Sequence, residues 1–527
     1  MDTEHCLKKG FLPVETPPCF STHAFAQKVS SLGAHPPLKD WTEPVRYSLV
    51  RAGGVRRSTE IPNPFSQYHL VDLCAKNWTS LRGISARSKI SLSRPLRGPG
   101  VRSLRHFKPI EQWGRELVSR MPGGRVTLTT DISQFYPSIY THAVDWCVRG
   151  KRAAKGNMRA AGLGPELDKL LRNGRGGQTV GIPVGPDTSW LIAEMLLAQV
   201  DAELCARFPT AVKRTARFGD DMTVYATSVG EAEDILATYQ ELLREYELAI
   251  NPVKVAIVDG LLPVEPPWVR KLRAHRYRDD RDRNQAGDVM DIFGVALEER
   301  GTFPDQGVLN YALKRCDPFP AGADGWRVYR DIILASVGLD ASTLPTAFAV
   351  LDFARKRSLP IDIDTTSDVF NELIVRHARL GHGFEVSWIL FAIRTLGLVL
   401  ESDTANEVAK MQDNCSLILL GDLLSRGSKV LRANASMGSV LKRAEVEGAL
   451  SSSDWLMAYE YRHRGWCKPA KWDNSKSWKE IHDKGVSFLY SNSPRRQIRR
   501  RKPSFMPAWQ YVNPSASANK STGSALP

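Results

Sequence analysis

The hydrophobic positions of this chain change period along its length, and the changes divide it. Tyr47–Pro64 (YSLVRAGGVRRSTEIPNP) reads as a hairpin: a short strand, a Gly53-Gly54 turn, and a second strand stopped by Pro62. Val126–Asp131 (VTLTTD) is β-branched and predicts a strand with an acid at its end, and Thr215–Thr227 (TARFGDDMTVYAT) predicts two short strands around Gly219-Asp220. Ser228, with Glu231 three residues on, has the form of a capping box. Ile235, Leu236, Tyr239, Leu242, Leu243 and Tyr246 then supply the apolar stripe of a helix. From about residue 305 the strand signals fade. Val369–Leu380, Phe384–Leu400, Ser416–Ser425 and Met437–Leu450 predict paired helices, an all-α region of solenoid-like character without a clean repeat period. Residues 1–45 are proline-rich and aperiodic, and predict an irregular lead-in.

Composition narrows the class. A chain of 527 residues with 42% hydrophobic and 24% charged residues has ample material for two or three packed domains, which excludes a disordered or fibrous protein. The net charge of +15 points to a polyanionic partner. Six of the positive charges crowd Pro494–Lys502, within a basic, Ser/Ala/Asn/Pro-rich stretch (491–527) that is expected to be disordered. The rest of the chain remains strongly basic. Eight scattered cysteines with no CxxC pair argue against a zinc ribbon or a secreted disulfide framework. The first residues, MDTEHCLKKGFLPVE, show no signal-peptide pattern. The longest apolar run, Ser387–Leu400, carries Arg394 and is too short to span a bilayer. A cytoplasmic protein without membrane attachment is expected.

Three segments carry the chemistry. Asp131-Ile-Ser-Gln-Phe-Tyr136 places an acid at a strand end, Gly181-Ile-Pro-Val-Gly-Pro-Asp-Thr-Ser189 is a Gly/Pro loop leading into a helix, and Phe218-Gly-Asp-Asp221 puts an acidic pair at a hairpin turn. Carboxylates at a strand end and on a neighbouring hairpin can meet in space. Two oxygen-liganded cations between them would hold a triphosphate and activate a hydroxyl for in-line attack, the arrangement nucleotidyl transfer needs. Each segment alone is weak, since an Asp-Asp pair at a turn is common turn chemistry. In this order along one chain they are specific.

In that order they resemble the reverse-transcriptase palm, over roughly residues 45–300. Asp131 stands in the first acidic motif, and FGDD stands where the family carries YxDD. Pro183-Val184-Gly185 with Ser189 is similar to the family's PQGxxxSP loop, with Val184 replacing Gln and Trp190 replacing the last Pro. Asn251-Pro-Val-Lys254 resembles the conserved-lysine segment, and Asp291-Ile-Phe-Gly294 the primer-grip hairpin. The wording of IPNPFSQYHLVDL, DISQFYPSIYTHAVDW and GIPVGPDTSWLIAEM is similar to the bacterial abortive-infection and defence-associated reverse transcriptases.

The resemblance implies an α+β fold of right-hand polymerase fingers and palm, with a ferredoxin-like palm sheet, followed by an all-α C-terminal domain. The expected divisions are a lead-in over 1–45, fingers and palm over 46–300, thumb and helical domain over 301–490, and the basic tail over 491–527. It implies an RNA-directed or template-independent DNA polymerase of antiphage defence. Asp131, Asp220, Asp221 and the Ile132 carbonyl would hold Mg2+. Arg51, Arg57, Gly185 and Lys254 would contact the incoming dNTP. Tyr136, five residues after the first acid, stands where RNA polymerases place a second Asp to read the ribose 2′-OH, and its ring would exclude that hydroxyl. The partners implied are dNTPs, a template or noncoding RNA, the DNA product, and further copies of the chain. A viral-type RNA polymerase and a binding scaffold with an inactive palm are the alternatives; the intact carboxylates speak against the second. His142 reads as structural, and the basic stretch Arg270–Arg278, bracketed by Trp268 and Tyr277, as phosphate-contacting and base-stacking.

Overall fold

The computed structural model describes residues 2–490, apart from 34–40, 99, 158–159, 279–280, 317–321, 427–436, 469–471 and 473–475. The basic tail predicted over 491–527 lies outside the described residues.

The palm is a four-stranded antiparallel sheet of β5 (Val126–Thr130), β6 (Thr215–Phe218), β7 (Asp221–Ala226) and β8 (Ala256–Asp259), in the order β6-β7-β5-β8. Helices Asp187–Arg207 and Val229–Glu245 fall between these strands, so the chain runs strand–helix–strand–strand–helix–strand, the ferredoxin-like order expected. The capping box holds in altered form: Ser228 Oγ accepts from Glu231 N–H, but the Glu231 carboxylate accepts from Thr227 rather than from Ser228. Ile235, Tyr239, Leu242 and Leu243 are buried beneath the sheet. Asp187–Arg207 is buried on most sides, its apolar residues interrupted by the buried acids Glu194 and Asp201.

The hairpin predicted around Gly53-Gly54 forms from β1 (Val45–Val50) and β2 (Arg56–Ile61), with both glycines at φ +75°. Its Tyr47 hydroxyl lies 2.9 Å from Ser387 Oγ on helix Gly383–Leu396. A second hairpin, β3 (Pro95–Arg97) and β4 (Leu104–His106), lies between the fingers hairpin and the palm in sequence.

Three expectations change. The lead-in is not irregular: it forms helices Thr3–Lys9 and His23–Lys28, and buries Phe11, Cys19, Phe20 and Phe25. One continuous core runs from these residues through the β1–β2 hairpin to residues 268–489. Trp388 Nε1 donates to the Glu15 carbonyl, and Phe20 bridges Leu489. A lead-in of short helices, part of whose partners lie more than 350 positions away, leaves no local period to read. Next, Asp291–Gly294 is not a hairpin but the middle of helix Asp282–Thr302. Val289, Ile292, Phe293 and Ala296 are all buried at helical spacing, so the signal was present and the motif resemblance misled. Finally, the change of character comes earlier than residue 305, and the expected division at 300 falls inside that same helix. Among the described residues no strand follows β8.

Candidate active site

Strand register places the acids. Thr130 pairs with Met222, so the next position, Asp131, comes level with Asp221. Phe218 pairs with Asp221 across a two-residue turn in which Gly219 takes φ +61°, the Gly-first form of a tight hairpin turn. Asp131, Asp220 and Asp221 therefore converge at one end of the sheet. Asp131 is buried, and it accepts from Lys254 Nζ at 2.6 Å and from Asn251 Nδ2 at 3.3 Å. The backbone fixes the same contact, since Asn251 N–H donates to the Asp131 carbonyl at 2.8 Å.

The other two acids have no such balance. Both keep part of their surface open to the cleft. The protein around Asp220 raises its carboxyl above the usual range, first by burial and then by the charge of Asp131. Asp221 is pushed well above that range by burial, then by Asp220 and Asp131. Lys254 opposes both shifts without cancelling them.

Beneath the turn lies a charge group that sequence reasoning missed. Arg217 is fully buried and makes ion pairs to Asp201 at 2.6 Å and Glu194 at 3.1 Å, both also buried. Its Nη1 donates to the Gly219 carbonyl at 2.6 Å, while Ser93 Oγ accepts from Gly219 N–H at 2.8 Å and donates to Glu194. Arg217 thus grips the backbone that carries Asp220. Glu194 and Asp201 are seven residues apart on one helix, two turns and one face, which was the available clue.

The remaining predicted residues surround this point. The loop after Asp131 passes through Gln134 at φ +43°, a left-handed position that turns Phe135 and Tyr136 back toward the sheet. Tyr136 is half-buried, and its hydroxyl is held above its ordinary pKa by burial and then by Asp220. Ile132 forms a single bridge with Ile250 and buries its side chain.

Gly185 has φ +134°, and a Cβ there would come 2.8 Å from Pro13 Cγ, so no side chain fits. Its carbonyl accepts from Arg102 Nη2, and Asp187 pairs with Arg102 at 2.5 Å and accepts from the Ser103 and Leu104 N–H groups. Val184 O accepts from Glu60 N–H, which ties this loop to the fingers hairpin.

Arg51 and Arg57 line a cavity of about 260 Å³ with Glu15, Asp305 and Asn310. Burial, then Arg57, brings the Arg51 guanidinium down to about 10, and Asp220 and Asp221 pull the other way. Both arginines thus lie within electrostatic reach of the acid pair.

Two further features of the sequence can be placed. His142 Nδ1 lies 2.9 Å from Asp168, which also pairs with Arg172. Trp268 is fully buried and donates to Gln306, so it cannot stack on a base. Arg273, Lys271 and Arg278 of that stretch are paired with Glu265, Glu299 and Asp288.

Residues 89–277 match the family described as "Reverse transcriptase (RNA-dependent DNA polymerase)". The chain carries a reverse-transcriptase domain. It is accordingly an RNA-directed DNA polymerase, a nucleotidyltransferase. The matched segment contains the whole palm sheet with Asp131, Tyr136, Gly185, Asp220, Asp221 and Lys254; Arg51, Arg57 and most of the helical region lie outside it. No curated protein matches the chain. The solved structure of apo telomerase from Candida tropicalis is similar at 9% identity and a TM-score of 0.34, covering 76% of this chain and 74% of that one. Among the described residues no helix is long and apolar enough to cross a membrane.

Proposed function

We propose that this reverse-transcriptase domain is a magnesium-dependent polymerase of the bacterial antiphage-defence type, extending DNA from dNTPs in the cytoplasm, with RNA as template or without one. The observation that carries the catalytic reading is the uncompensated acid pair. Asp220 and Asp221 are held above their ordinary pKa by burial and by one another's and Asp131's charge, so this all-oxygen donor set would accept hard divalent cations. Asp131, Asp220, Asp221 and the Ile132 carbonyl are the proposed ligands. When bound, two such ions stabilise the attacking and leaving oxygens of an in-line displacement.

The side chains then divide the work. Arg51 and Arg57 lie on the fingers within electrostatic reach of the acid pair and hold the triphosphate, setting positive charge against the reacting phosphates. Lys254 donates to Asp131, and an ammonium held at that carboxylate would stand where it could neutralise the departing pyrophosphate. Tyr136 lies within electrostatic reach of Asp220 and excludes a 2′-OH by crowding. Gly185 lets the backbone of its loop lie flat beside Pro13, which frames the templating pair. The defence assignment rests on the sequence resemblance, and the expected partners are template or noncoding RNA and further copies of the chain.

The test is dNTP incorporation by the full chain with Mg2+, with and without added RNA, beside Asp220→Asn and Asp221→Asn, with phage plaquing in parallel. Incorporation by the wild type alone supports the site. Equal incorporation by a folded double variant removes it, and unchanged plaquing removes the defence role.

A further inference from the structure

The one group of three potential metal ligands whose donor atoms lie within 4.8 Å of one another, among the described residues, is not the acid triad. It is His377, His382 and Glu385, in the helical region where helix Ile363–Arg379 turns into helix Gly383–Leu396. His377 Nδ1 and His382 Nδ1 are 3.0 Å apart, and each is 3.7 Å from Glu385 Oε1. A triangle with those sides has a circumradius of about 2.0 Å, so one point is about 2.0 Å from all three atoms, the Zn–N and Zn–O bond length. We propose that these three residues form a binding site for a borderline divalent cation, zinc foremost, with water as the fourth ligand.

The surroundings favour a built site. Glu385 is 1% exposed, and its Oε2 is buried without a hydrogen-bond partner, an unspent acceptor on a carboxylate that already faces two imidazoles. Arg56 donates to Glu385 Oε1, and Ser48 holds Arg56 in turn, the kind of outer hydrogen bonding that orients a ligating carboxylate. The chain turn is fixed as well: His382 N–H donates to the His377 carbonyl at 3.0 Å, and Gly383 lies so close to Asp413 that no Cβ fits. His377 and His382 keep 13% and 23% of their side-chain surface exposed. An adjoining polar cavity of about 1160 Å³, lined by Arg56, Ala378, Gly381 and Asp413, gives water access. Two nitrogens and one carboxylate are the donor set of zinc, whereas magnesium prefers oxygens alone. Because Arg56 lies on the β1–β2 hairpin, the ion would pin the fingers to the helical region.

The competing account is a plain hydrogen bond between the two imidazoles, with Arg56 satisfying the acid. The full chain, stripped with chelator and dialysed, is titrated with ZnCl2 by calorimetry in the presence of excess Mg2+, and with CoCl2 by visible absorption. One Zn2+ per chain and the intense ligand-field band of four-coordinate cobalt are expected. His377→Gln and His382→Gln should bind zinc more than about 100-fold more weakly, beyond the loss an outer partner causes. Asp221→Asn should bind normally. Absence of zinc binding above that of the histidine variants, or equal loss in Asp221→Asn, overturns the proposal. Should the histidine variants misfold, the wild-type cobalt spectrum decides, since a weak six-coordinate spectrum or none overturns it too.

Discussion

Two charge groups lie within five residues of each other on the β6–β7 hairpin, and they are opposites. Arg217 is a buried cation between two buried acids, with every guanidinium nitrogen bonded. Asp220 and Asp221 are acids raised above their range, with Asp131 beside them and Lys254 as the nearest partial counterion. A buried ion group that is fully bonded is a fixed part of the framework, and breaking it leaves charges stranded. An acid pair left short of positive charge is a site held ready for cations that arrive from solution.

If that contrast is right, substitutions on the two sides should fail in different currencies. Asp221→Asn and Asp220→Asn should each lower polymerisation by about 10³-fold or more, the loss of several kcal/mol of metal-held transition-state stabilisation. Their circular dichroism should not change. Arg217→Met should destabilise the fold by about 3–5 kcal/mol by stranding Glu194 and Asp201, read as a lower urea midpoint. Adding Glu194→Gln and Asp201→Asn to it should recover much of that loss. A stable Arg217→Met with wild-type turnover would break the comparison. Lys254→Ala should cut turnover by about 10²-fold with nucleotide affinity little changed, as loss of a group acting on the leaving pyrophosphate requires. Tyr136→Val should raise rNTP use relative to dNTP use by about 10–100-fold, a contact difference of 1–3 kcal/mol, and an unchanged ratio would remove the ring from the sugar.

The smallest effect has a sign worth fixing. Folded Asp221 holds its proton to higher pH than the unfolded chain does. Its contribution to metal-free stability is therefore complete below the ordinary carboxylate range and is lost as pH rises through the raised value. Asp221→Asn should then melt a few °C above metal-free wild type at pH 8 and converge with it toward pH 4, by scanning calorimetry. Excess Mg2+ should close the gap at pH 8.

The palm was legible because its signals are local. Val126–Thr130, Thr215–Phe218 and Asp221–Ala226 each announce themselves by β-branched residues and a turn glycine, and Ser228 caps the next helix as read. The three acids could be placed together because strand register does the placing. What stayed hidden was non-local. Arg217 looks like any strand arginine until Glu194 and Asp201 close around it from another element. Phe11 and Phe20 sit in an aperiodic stretch, and only their distant partners make them core. Asp291–Gly294 shows the reverse error, a motif resemblance preferred over a clear helical period.

The joining of residues 6–32 to residues 455–489 in one core also has a consequence in time. A ribosome adding about 5–20 residues per second needs roughly 25–100 s to pass from the first of these segments to the last. For that interval residues whose partners come last, such as Phe20 opposite Leu489 and Tyr47 opposite Ser387, have been made without those partners, while the palm, which has a core of its own, can already fold. The polymerase would thus assemble its chemistry before its housing, and a nascent chain stalled in the helical region would carry a formed active site on a sticky, unfinished body.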